Sequence, residues 1–215
     1  MESIWTRTTL PVHPPLEGRH RCDAVVLGGG MAGILTAWFL RQHGLSVIVL
    51  EANRVGSGQT QNTTAKITAQ HGLCYAKLID RFGAQDALRY ARAARQAVTD
   101  FRDIIAQEHI DCHLENLPSY LYSRYDPTTL KKERDAACDL GFGAEFVKKT
   151  CLPFPVEGAV LFPNQAQFHP LEFLRSVSKP LVIYEHSMVT DVSDHQVTTA
   201  HGTVTADHIL FATHV

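Results

Sequence analysis

A glycine-rich turn near the N-terminus constrains the fold more than any other feature of this sequence. The turn GGGMAG places Gly28, Gly30 and Gly33 in a GxGxxG register. It follows the short apolar segment Asp23–Leu27 and precedes Met31–His43, whose apolar spacing predicts a helix. A buried strand, a glycine turn and a helix in this order predict the first part of a βαβ unit in a mainly parallel sheet.

The second strand of this unit ends in an acidic residue. The apolar segment Ser46–Leu50 has the composition of a buried strand, and Glu51 follows it directly. Glu51 stands about 20 residues beyond Gly28, the spacing at which a carboxylate binds the ribose hydroxyls of a dinucleotide. The same carboxylate would repel a 2′-phosphate, so NADP is disfavoured. FAD and NAD both fit the motif.

Each glycine of the turn has a physical role in such a site. Gly28 allows the tight turn, Gly30 lets a pyrophosphate approach the backbone, and Gly33 lets helix and strand pack closely. The N–H groups at the start of the helix would bind the diphosphate. A glycine turn without a ligand is the simpler alternative, but three glycines lose much conformational entropy on folding. We therefore interpret the turn as a dinucleotide site.

The composition excludes several other classes of protein. Of the 215 residues, 45% are hydrophobic and 20% charged, as in an ordinary globular domain. The net charge is −2, and no basic patch indicates a nucleic-acid partner. Five scattered cysteines without a CxxC pair predict reduced thiols and no metal site. The uncharged run Ala24–Leu40 is too short and too glycine-rich for a membrane span, and no secretory signal precedes it, so we expect a cytoplasmic protein.

The pattern along the chain predicts four segments. Several prolines indicate an N-terminal arm at residues 1–20. Residues 21–110 are expected to form the first part of a nucleotide-binding domain. Short mixed elements predict an inserted α+β lobe at residues 111–167, and residues 168–215 predict the β-rich second part of the domain.

Within these segments, some elements are easier to assign than others. Apolar residues at helical spacing predict a long helical segment at Tyr75–His109, divided at Gly83. Phe162–Pro170 is expected to be a connection that leads into a short helix. Near the C-terminus, Thr203–Thr205 and His208–Thr213 are expected to form separate strands.

Several stretches together carry a family resemblance, and they are DAVVLGGGMAGILTAWFL, LEANRVGSGQTQNTTAKITAQHGL, LPFPVEGAVLFPNQAQFHPLEFL, YEHSMVTDV and ILFATHV. The chain resembles the FAD-dependent oxidoreductases of the D-amino acid oxidase and glycine oxidase group, above all the bacterial branch whose longer members carry a C-terminal Rieske domain. The resemblance implies a Rossmann-like FAD-binding fold with a partial inserted α+β substrate lobe. It also implies FAD as the cofactor and hydride transfer to the flavin from a small molecule bearing an amine or a hydroxyl.

The resemblance also implies which residues bind the adenosine diphosphate part of FAD. Glu51 would hold the ribose, and Arg54 with the loop Gly56–Thr64 would wrap the pyrophosphate. Val189 would contact the adenine through its backbone. The strand that ends at Ala212 and Thr213 would run under the pyrophosphate.

The residues that follow this loop are implied to lie beside the isoalloxazine ring. A cation there favours reduction of the flavin, and Lys66 is the candidate, although it could equally be a surface lysine. Gln70 and His71 would close the redox face, and a structural role for His71 is the alternative. The expected catalytic residues are Lys66 and His71. The residues implied to bind the cofactor are Gly28, Gly30, Ala32, Gly33, Glu51, Ala52, Arg54, Gly58, Thr63, Thr64, Ala65, Lys66, Thr68, Gln70, Val189, Ala212 and Thr213.

Two other functions stay open at this point. The first is an NAD-dependent dehydrogenase with the same fold. The second is a non-catalytic cofactor-binding module that needs a partner chain, because members of the resembled group continue well beyond ILFATHV and this chain is expected to be a C-terminally truncated form. For the catalytic alternative, oxygen or an iron–sulfur protein would reoxidise the flavin.

Overall fold

A computed structural model describes residues 3–214 of the chain, and these residues form two compact units. The first unit combines the residues up to Thr64 with those from His169 onward, and the second unit is Ala65–Phe168. The strands are β1 (Gly18–Leu27), β2 (Val47–Leu50), β3 (Lys66–Ile67), β4 (Glu115–Ser123), β5 (Glu145–Val147), β6 (Gly158–Gln167), β7 (Val182–Tyr184), β8 (Val189–Ser193), β9 (Gln196–Thr199) and β10 (Gly202–Phe211). The α-helices are α1 (Met31–Gln42), α2 (Tyr75–Gln107), α3 (Thr128–Asp139) and α4 (Pro170–Ser178), and short 3-10 helices lie at Ile4–Arg7 and Gln59–Asn62.

The first unit contains a six-stranded sheet in the order β7-β2-β1-β10-β9-β8. The first four strands are parallel, and β9 and β8 continue the sheet in antiparallel pairs. The end of β1 is fully buried, with Ala24, Val25 and Val26 at 0% exposure, and α1 packs on β1 and β2. A parallel strand buried on both faces explains the unbroken apolar run that precedes the glycine turn. The prediction of a Rossmann-like α/β fold is confirmed.

The central strand pair is longer than the sequence pattern predicts. β1 begins at Gly18 rather than Asp23, and β10 is one continuous strand where two were expected. The cause is the parallel register of the pair, which runs without interruption from Gly18 opposite Gly202 to Leu27 opposite Phe211. Backbone pairing along this length does not depend on the polar side chains that interrupt the apolar pattern.

Residues 1–20 do not form a separate arm in the part that the structure describes. Leu16 is 1% exposed and belongs to the core cluster that contains Val25 and Val204. The Leu16 N–H donates to the Ser187 hydroxyl at 2.8 Å. Residues 3–17, called the arm below, therefore belong to the first unit.

The second unit is built around β6, which the sequence analysis did not identify as a strand. β4 pairs with one edge of β6, and β3 and β5 pair with the other. Pro163 and Asn164 gave this segment the composition of a loop, and Asn164 has a φ of 58°. The register of β4 and β6 shifts between Leu117 and Ser119, so Pro118 lies at the same irregular point of the ladder as Pro163. The two prolines, which have no N–H group, therefore fall where regular pairing is interrupted.

The long helix α2 belongs to this second unit and packs on α3. Its φ of 80° at Gly83 divides it in two, as the sequence predicts. The sequence placed this helix with residues 21–110, whereas the structure divides the chain between residues 64 and 65 and between 168 and 169. The difference arises because a helical pattern shows which face is buried but not which element covers it.

The start of α2 is held by a buried carboxylate from α3. Glu133 is 1% exposed, and its Oε1 accepts hydrogen bonds from the N–H groups of Cys74 and Tyr75 at 2.9 and 2.8 Å. Its Oε2 accepts from the Ala76 N–H at 3.0 Å. The first N–H groups of a helix have no partner within the helix, and a negative charge there also interacts favourably with the helix dipole.

Replacing this carboxylate should destabilise the protein. We expect Glu133→Ala to lower the free energy of unfolding by about 2–4 kcal/mol, since it leaves three backbone donors without an acceptor. Urea unfolding followed by circular dichroism would measure the loss. The matched control is Glu145→Ala, at an exposed position of β5, with an expected change below about 0.5 kcal/mol. Equal stability of the two variants would contradict the capping role.

Candidate dinucleotide-binding site

Two glycines of the turn are required by the packing of the protein itself. Gly28 has a φ of 114°, and a Cβ there would lie 2.7 Å from the Ala212 carbonyl oxygen. A Cβ on Gly33 would lie 1.9 Å from the Gly28 carbonyl oxygen. Any side chain at these positions would collide with backbone, so they let β1, α1 and the end of β10 approach closely.

Gly30 differs from these two, because nothing in the surrounding chain requires a glycine there. Its φ of −78° and ψ of −178° suit any residue. Among the residues that the structure describes, a Cβ on Gly30 would meet within 4 Å only the Thr60 hydroxyl, at 3.6 Å. The missing side chain leaves bare backbone at the N-cap of α1, which is the arrangement that a bound pyrophosphate needs.

A cavity of about 970 Å³ lies over this turn, within the first unit. Its size is at the upper end of the range for cofactor pockets. The residues with an expected cofactor role that line the cavity are Gly28, Gly30, Ala32, Glu51, Ala52, Arg54, Gly58, Val189, Ala212 and Thr213. Gly33 instead lies in the packed contact beneath the turn.

Glu51 is fixed at the wall of this cavity by backbone groups. Its Oε2 accepts a hydrogen bond from the Gly29 N–H at 2.6 Å, and its Oε1 accepts from the Asn53 N–H at 2.8 Å. Each carboxylate oxygen has a second lone pair, so the carboxylate can also accept hydrogen bonds from two ribose hydroxyls. The open backbone at Gly30 and this oriented carboxylate fit the pyrophosphate and the ribose of a dinucleotide.

Thr60 is a site residue that the sequence analysis did not single out within the loop Gly56–Thr64. It is 8% exposed, lines the cavity, and its Oγ1 accepts a hydrogen bond from the Met31 N–H at 3.0 Å. The N-cap residue of α1 is Gly30, which has no side chain to bind the first N–H group of the helix. The Thr60 hydroxyl binds this N–H group instead. A threonine in a polar loop carries no positional signal in sequence, since the contact depends on how the loop folds back.

Arg54 lines the cavity, but its guanidinium contacts protein groups. Its Nε lies 2.9 Å from Oε2 of Glu185, and its Nη2 donates to the carbonyl oxygens of Leu10 and Pro11 at 3.4 and 3.2 Å. The structure therefore directs these donors to a buried carboxylate and to the arm, whereas the sequence analysis expected them to bind pyrophosphate.

Glu185 was not identified from the sequence, although a signal was present. It follows the apolar strand β7 just as Glu51 follows β2, and Leu50 lies opposite Tyr184 in the parallel pair. Both carboxylates therefore lie at the carboxyl edge of the sheet, where ligands bind in open α/β folds. Glu185 is 0% exposed. Burial raises the pKa of its carboxyl, but hydrogen bonds from the His13 and Val55 N–H groups and from Arg54 outweigh burial and hold the pKa below its usual range.

The residues expected beside the flavin ring lie in the second unit. Lys66 is exposed on β3, and His71 is exposed in the loop that follows. Gln70 is 8% exposed, and its Oε1 accepts a hydrogen bond from the Ser119 hydroxyl at 2.7 Å, while its Nε2 has no partner among the described residues. Ala65 and Thr68 complete this set. Thr63 and Thr64 belong to the first unit, at the end of its N-terminal segment. Neither is among the described residues that line the cavity.

Residues 3–214 contain neither a cluster of metal-ligating side chains nor a helix that could cross a membrane. No group of three His, Cys, Asp or Glu side chains lies close enough together to hold a metal ion. No helix in this range combines the length and the apolar character that crossing a membrane requires.

Comparison with known proteins assigns the family. The family of FAD dependent oxidoreductases named DAO matches residues 23–215, which is most of the chain. The chain belongs to this family. The cofactor of the family is FAD, which decides between the two dinucleotides that the turn alone left open, and the family resemblance is confirmed.

Relatives of known sequence extend beyond the matched region. The chain is 36% identical over 199 residues to YhfW of Bacillus subtilis, which is named as a Rieske 2Fe-2S iron-sulfur protein, and the match covers 89% of this chain and 39% of YhfW. It is 24% identical to the gamma-glutamylputrescine oxidoreductase of Escherichia coli, covering 89% of this chain and 48% of that protein. The chain therefore spans less than half the length of these two relatives.

Solved structures of the same fold include two amino-acid-oxidising enzymes. The L-proline dehydrogenase of P. horikoshii superposes with a TM-score of 0.73 at 19% identity, over 92% of this chain and 54% of that one. The glycine oxidase of Geobacillus kaustophilus superposes with a TM-score of 0.66 at 20% identity, over 90% of this chain and 55% of that one. At this identity the comparison establishes the fold of the chain.

The different surroundings of the glycines predict different effects of adding one methyl group. We expect Gly30→Ala to change the free energy of unfolding by less than about 1 kcal/mol, because its φ and the space around it accept a Cβ. It should weaken FAD binding at least about tenfold, because the methyl group occupies the space of the pyrophosphate. Gly33→Ala should instead lower the free energy of unfolding by about 3 kcal/mol or more. Thermal unfolding and fluorescence titration with FAD measure the two properties, and unchanged affinity in a folded Gly30→Ala would contradict the site.

The low pKa of Glu185 predicts a pH-dependent contribution to stability. The carboxylate stabilises the folded protein above the ordinary glutamate pKa of about 4.3, and this contribution is lost as the pH falls through the lower pKa of the folded state. We expect Glu185→Gln to lower the free energy of unfolding by about 2–4 kcal/mol near neutral pH. The difference from wild type should shrink below about pH 4. Urea unfolding of both proteins across this pH range measures the difference in their free energy of unfolding. A difference that does not depend on pH would contradict an ionised Glu185 in the folded protein.

Proposed function

We propose that this chain binds FAD, with the adenosine diphosphate part in the cavity of the first unit. The observation that carries the proposal is the open backbone at Gly30 beside a carboxylate, Glu51, that backbone N–H groups orient. Gly28 and Gly33 are explained by packing, but Gly30 is not, and a ligand that approaches the turn explains its missing side chain. Val189, which also lines the cavity, is then the residue expected to contact adenine.

We further propose that the reaction is oxidation of a small molecule that carries a C–H next to an amine or a hydroxyl. When bound, FAD accepts the hydride. The names of the relatives favour amines, since a gamma-glutamylputrescine oxidoreductase, a glycine oxidase and an L-proline dehydrogenase are among them. The nitrogen must be neutral when the hydride leaves, so a site that disfavours its charged form would lower its pKa.

Lys66 and His71 are the proposed redox residues of the second unit. A lysine ammonium beside the flavin ring would stabilise the negative charge of the reduced state. Gln70 supports a role for this loop, because its buried amide has a donor with no partner among the described residues. Unpaired buried donors are rare in folded proteins, and a redox or catalytic role is one of their explanations.

Two further proposals concern the electron acceptor and the location. Oxygen or an iron–sulfur protein would reoxidise the flavin, and the name of YhfW supports the second. We propose a cytoplasmic location on the basis of the scattered cysteines.

A non-catalytic cofactor-binding module is the second candidate function. Within β10, only Thr203–Thr205 pairs with β9, so His208–Phe211 pairs in the described structure with β1 alone. Phe211, at the end of this open edge, is 68% exposed. An unpaired strand edge of this kind can bind another strand.

The direct test is to identify the nucleotide that the purified protein carries. Denaturation should release FAD, seen by its absorbance and its chromatographic retention. Added FAD at about one hundred times its dissociation constant should stabilise the folded protein by about 2.7 kcal/mol, whereas NAD should not. Turnover of amines by the FAD-loaded chain separates an enzyme from a binding module. Protein that neither carries nor binds FAD would overturn the proposal.

The proposed role of Lys66 predicts a change in the reduction potential of the bound flavin. We expect Lys66→Met to make this potential more negative by roughly 30 mV, which corresponds to about 1.4 kcal/mol for two electrons, because a positive charge near the reduced ring is lost. Equilibrium reduction against a reference dye measures it. Lys149→Met, at another exposed position of the second unit, is the control and should leave the potential unchanged. Equal reduction potentials in wild type and Lys66→Met would show that Lys66 is a surface lysine without a role at the flavin.

A further inference from the structure

The loop from Arg54 to Thr63, called the cofactor loop below, supplies part of the wall of the cavity and is bound directly to the glycine turn. The Gly56 N–H donates to the Gly29 carbonyl oxygen at 3.0 Å. At the other end of the loop, the Thr60 hydroxyl accepts from the Met31 N–H at 3.0 Å. The position of the loop therefore fixes the groups that would face a pyrophosphate.

The opposite side of the cofactor loop is bound by the arm. The Trp5 indole N–H donates to the Thr63 carbonyl oxygen at 2.9 Å. A Cβ on Gly56 would lie 3.3 Å from a methyl carbon of Leu10, which shows how closely the arm covers the loop. Arg54 of the loop donates to the Leu10 and Pro11 carbonyl oxygens. The arm thus contacts the loop along its length, although no described residue of the arm lines the cavity.

Glu185 joins the arm and the loop through a single buried carboxylate. Its Oε1 accepts from the Val55 N–H of the loop at 2.8 Å, and its Oε2 accepts from the His13 N–H of the arm at 3.0 Å. Oε2 also pairs with Nε of Arg54. The Glu185 N–H donates to the Pro14 carbonyl oxygen at 3.2 Å, so the backbone of this residue holds the arm as well. Loss of the charge would loosen both segments together.

We propose that Glu185 is a positioning residue for FAD and that the arm acts as a strap which holds the cofactor loop in its nucleotide-binding shape. This inference rests on the proposed function, because it concerns the same cavity. Glu185 does not touch the nucleotide in this proposal. It acts through Val55 and Arg54 on the groups that face the pyrophosphate. Since such coupling is reciprocal, bound nucleotide should in turn stabilise the arm.

The test compares two buried carboxylates, each bound by backbone N–H groups. Glu185→Gln removes the charge that joins arm and loop, and the matched control Glu133→Gln removes the charge that caps α2 in the second unit. Both should lower the melting temperature of the nucleotide-free protein. The probe is ADP, which represents the part of FAD expected in the first unit. We expect Glu185→Gln to weaken ADP binding by about tenfold, and Glu133→Gln to leave it within about twofold of wild type.

Hydrogen exchange gives a second readout that general destabilisation would not produce. In wild type, ADP should slow exchange of the His13 and Val55 amides, and in Glu185→Gln this protection should be lost. If Glu185→Gln does not fold, Trp5→Phe replaces it, since this change removes only the donor to Thr63 and keeps an aromatic ring. ADP binding should then weaken by about threefold, with faster exchange in the arm.

The outcomes separate this proposal from the proposed function. Wild-type protein that binds neither FAD nor ADP would overturn the proposed function. Wild-type protein that binds both, with unchanged ADP affinity in folded Glu185→Gln, would overturn the strap alone. Equal weakening of ADP binding in Glu185→Gln and Glu133→Gln would also overturn the strap. The loss of affinity would then result from general destabilisation and not from a displaced cofactor loop.

Discussion

Carboxylates that are bound by backbone N–H groups of a distant segment are the interaction on which this structure depends. Glu51 holds the glycine turn, Glu185 holds the arm and the cofactor loop, and Glu133 holds the start of α2. A buried carboxylate is costly unless its oxygens are hydrogen-bonded, and a loop amide is costly unless it has an acceptor. Each of these pairings satisfies both requirements. Segments far apart in the sequence are thereby held together.

Two of these carboxylates are positioned by the same geometric rule. Parallel strands present their carboxyl ends at one edge of the sheet, so the residues that follow β2 and β7 become neighbours there. One of them, Glu51, faces the cavity, while Glu185 is buried behind it. The first is suited to bind a ligand and the second to support the groups that do so. Their different burial, and not their sequence context, separates the two roles.

The sequence was sufficient for the parts of the fold that rest on local rules. The order of strand, GGGMAG turn, helix and second strand predicted β1, α1 and β2, and the spacing from Gly28 to Glu51 predicted a carboxylate near the turn, where Glu51 lines the cavity. These features depend on contacts between residues near in sequence or on steric demands that only glycine meets. The family resemblance added Val189 at the start of β8 and Ala212 and Thr213 directly after β10, and the structure places all three at the same cavity.

The sequence was insufficient where long-range pairing decides the outcome. Pro163 and Asn164 suggested a loop, yet pairing on both sides makes β6 the centre of its sheet. Arg54 had the position of a phosphate ligand, but its Nε lies in an ion pair with a carboxylate 131 residues later in the chain, Glu185. Neither result follows from local composition, because the partner in each case is brought close only by the completed fold.

The hydroxyl of Thr60 has a consequence for the chemistry of the turn. Because this oxygen accepts a hydrogen bond from the Met31 N–H through a lone pair, its own hydrogen is directed away from that N–H group. Hydrogen bonds arranged in series polarise one another, so the O–H group becomes a stronger donor than an isolated alcohol. The Thr60 hydroxyl therefore extends the electrostatic effect of the Met31 N–H group beyond the end of α1. An anion can accept a hydrogen bond from this hydroxyl without contacting the Met31 amide itself.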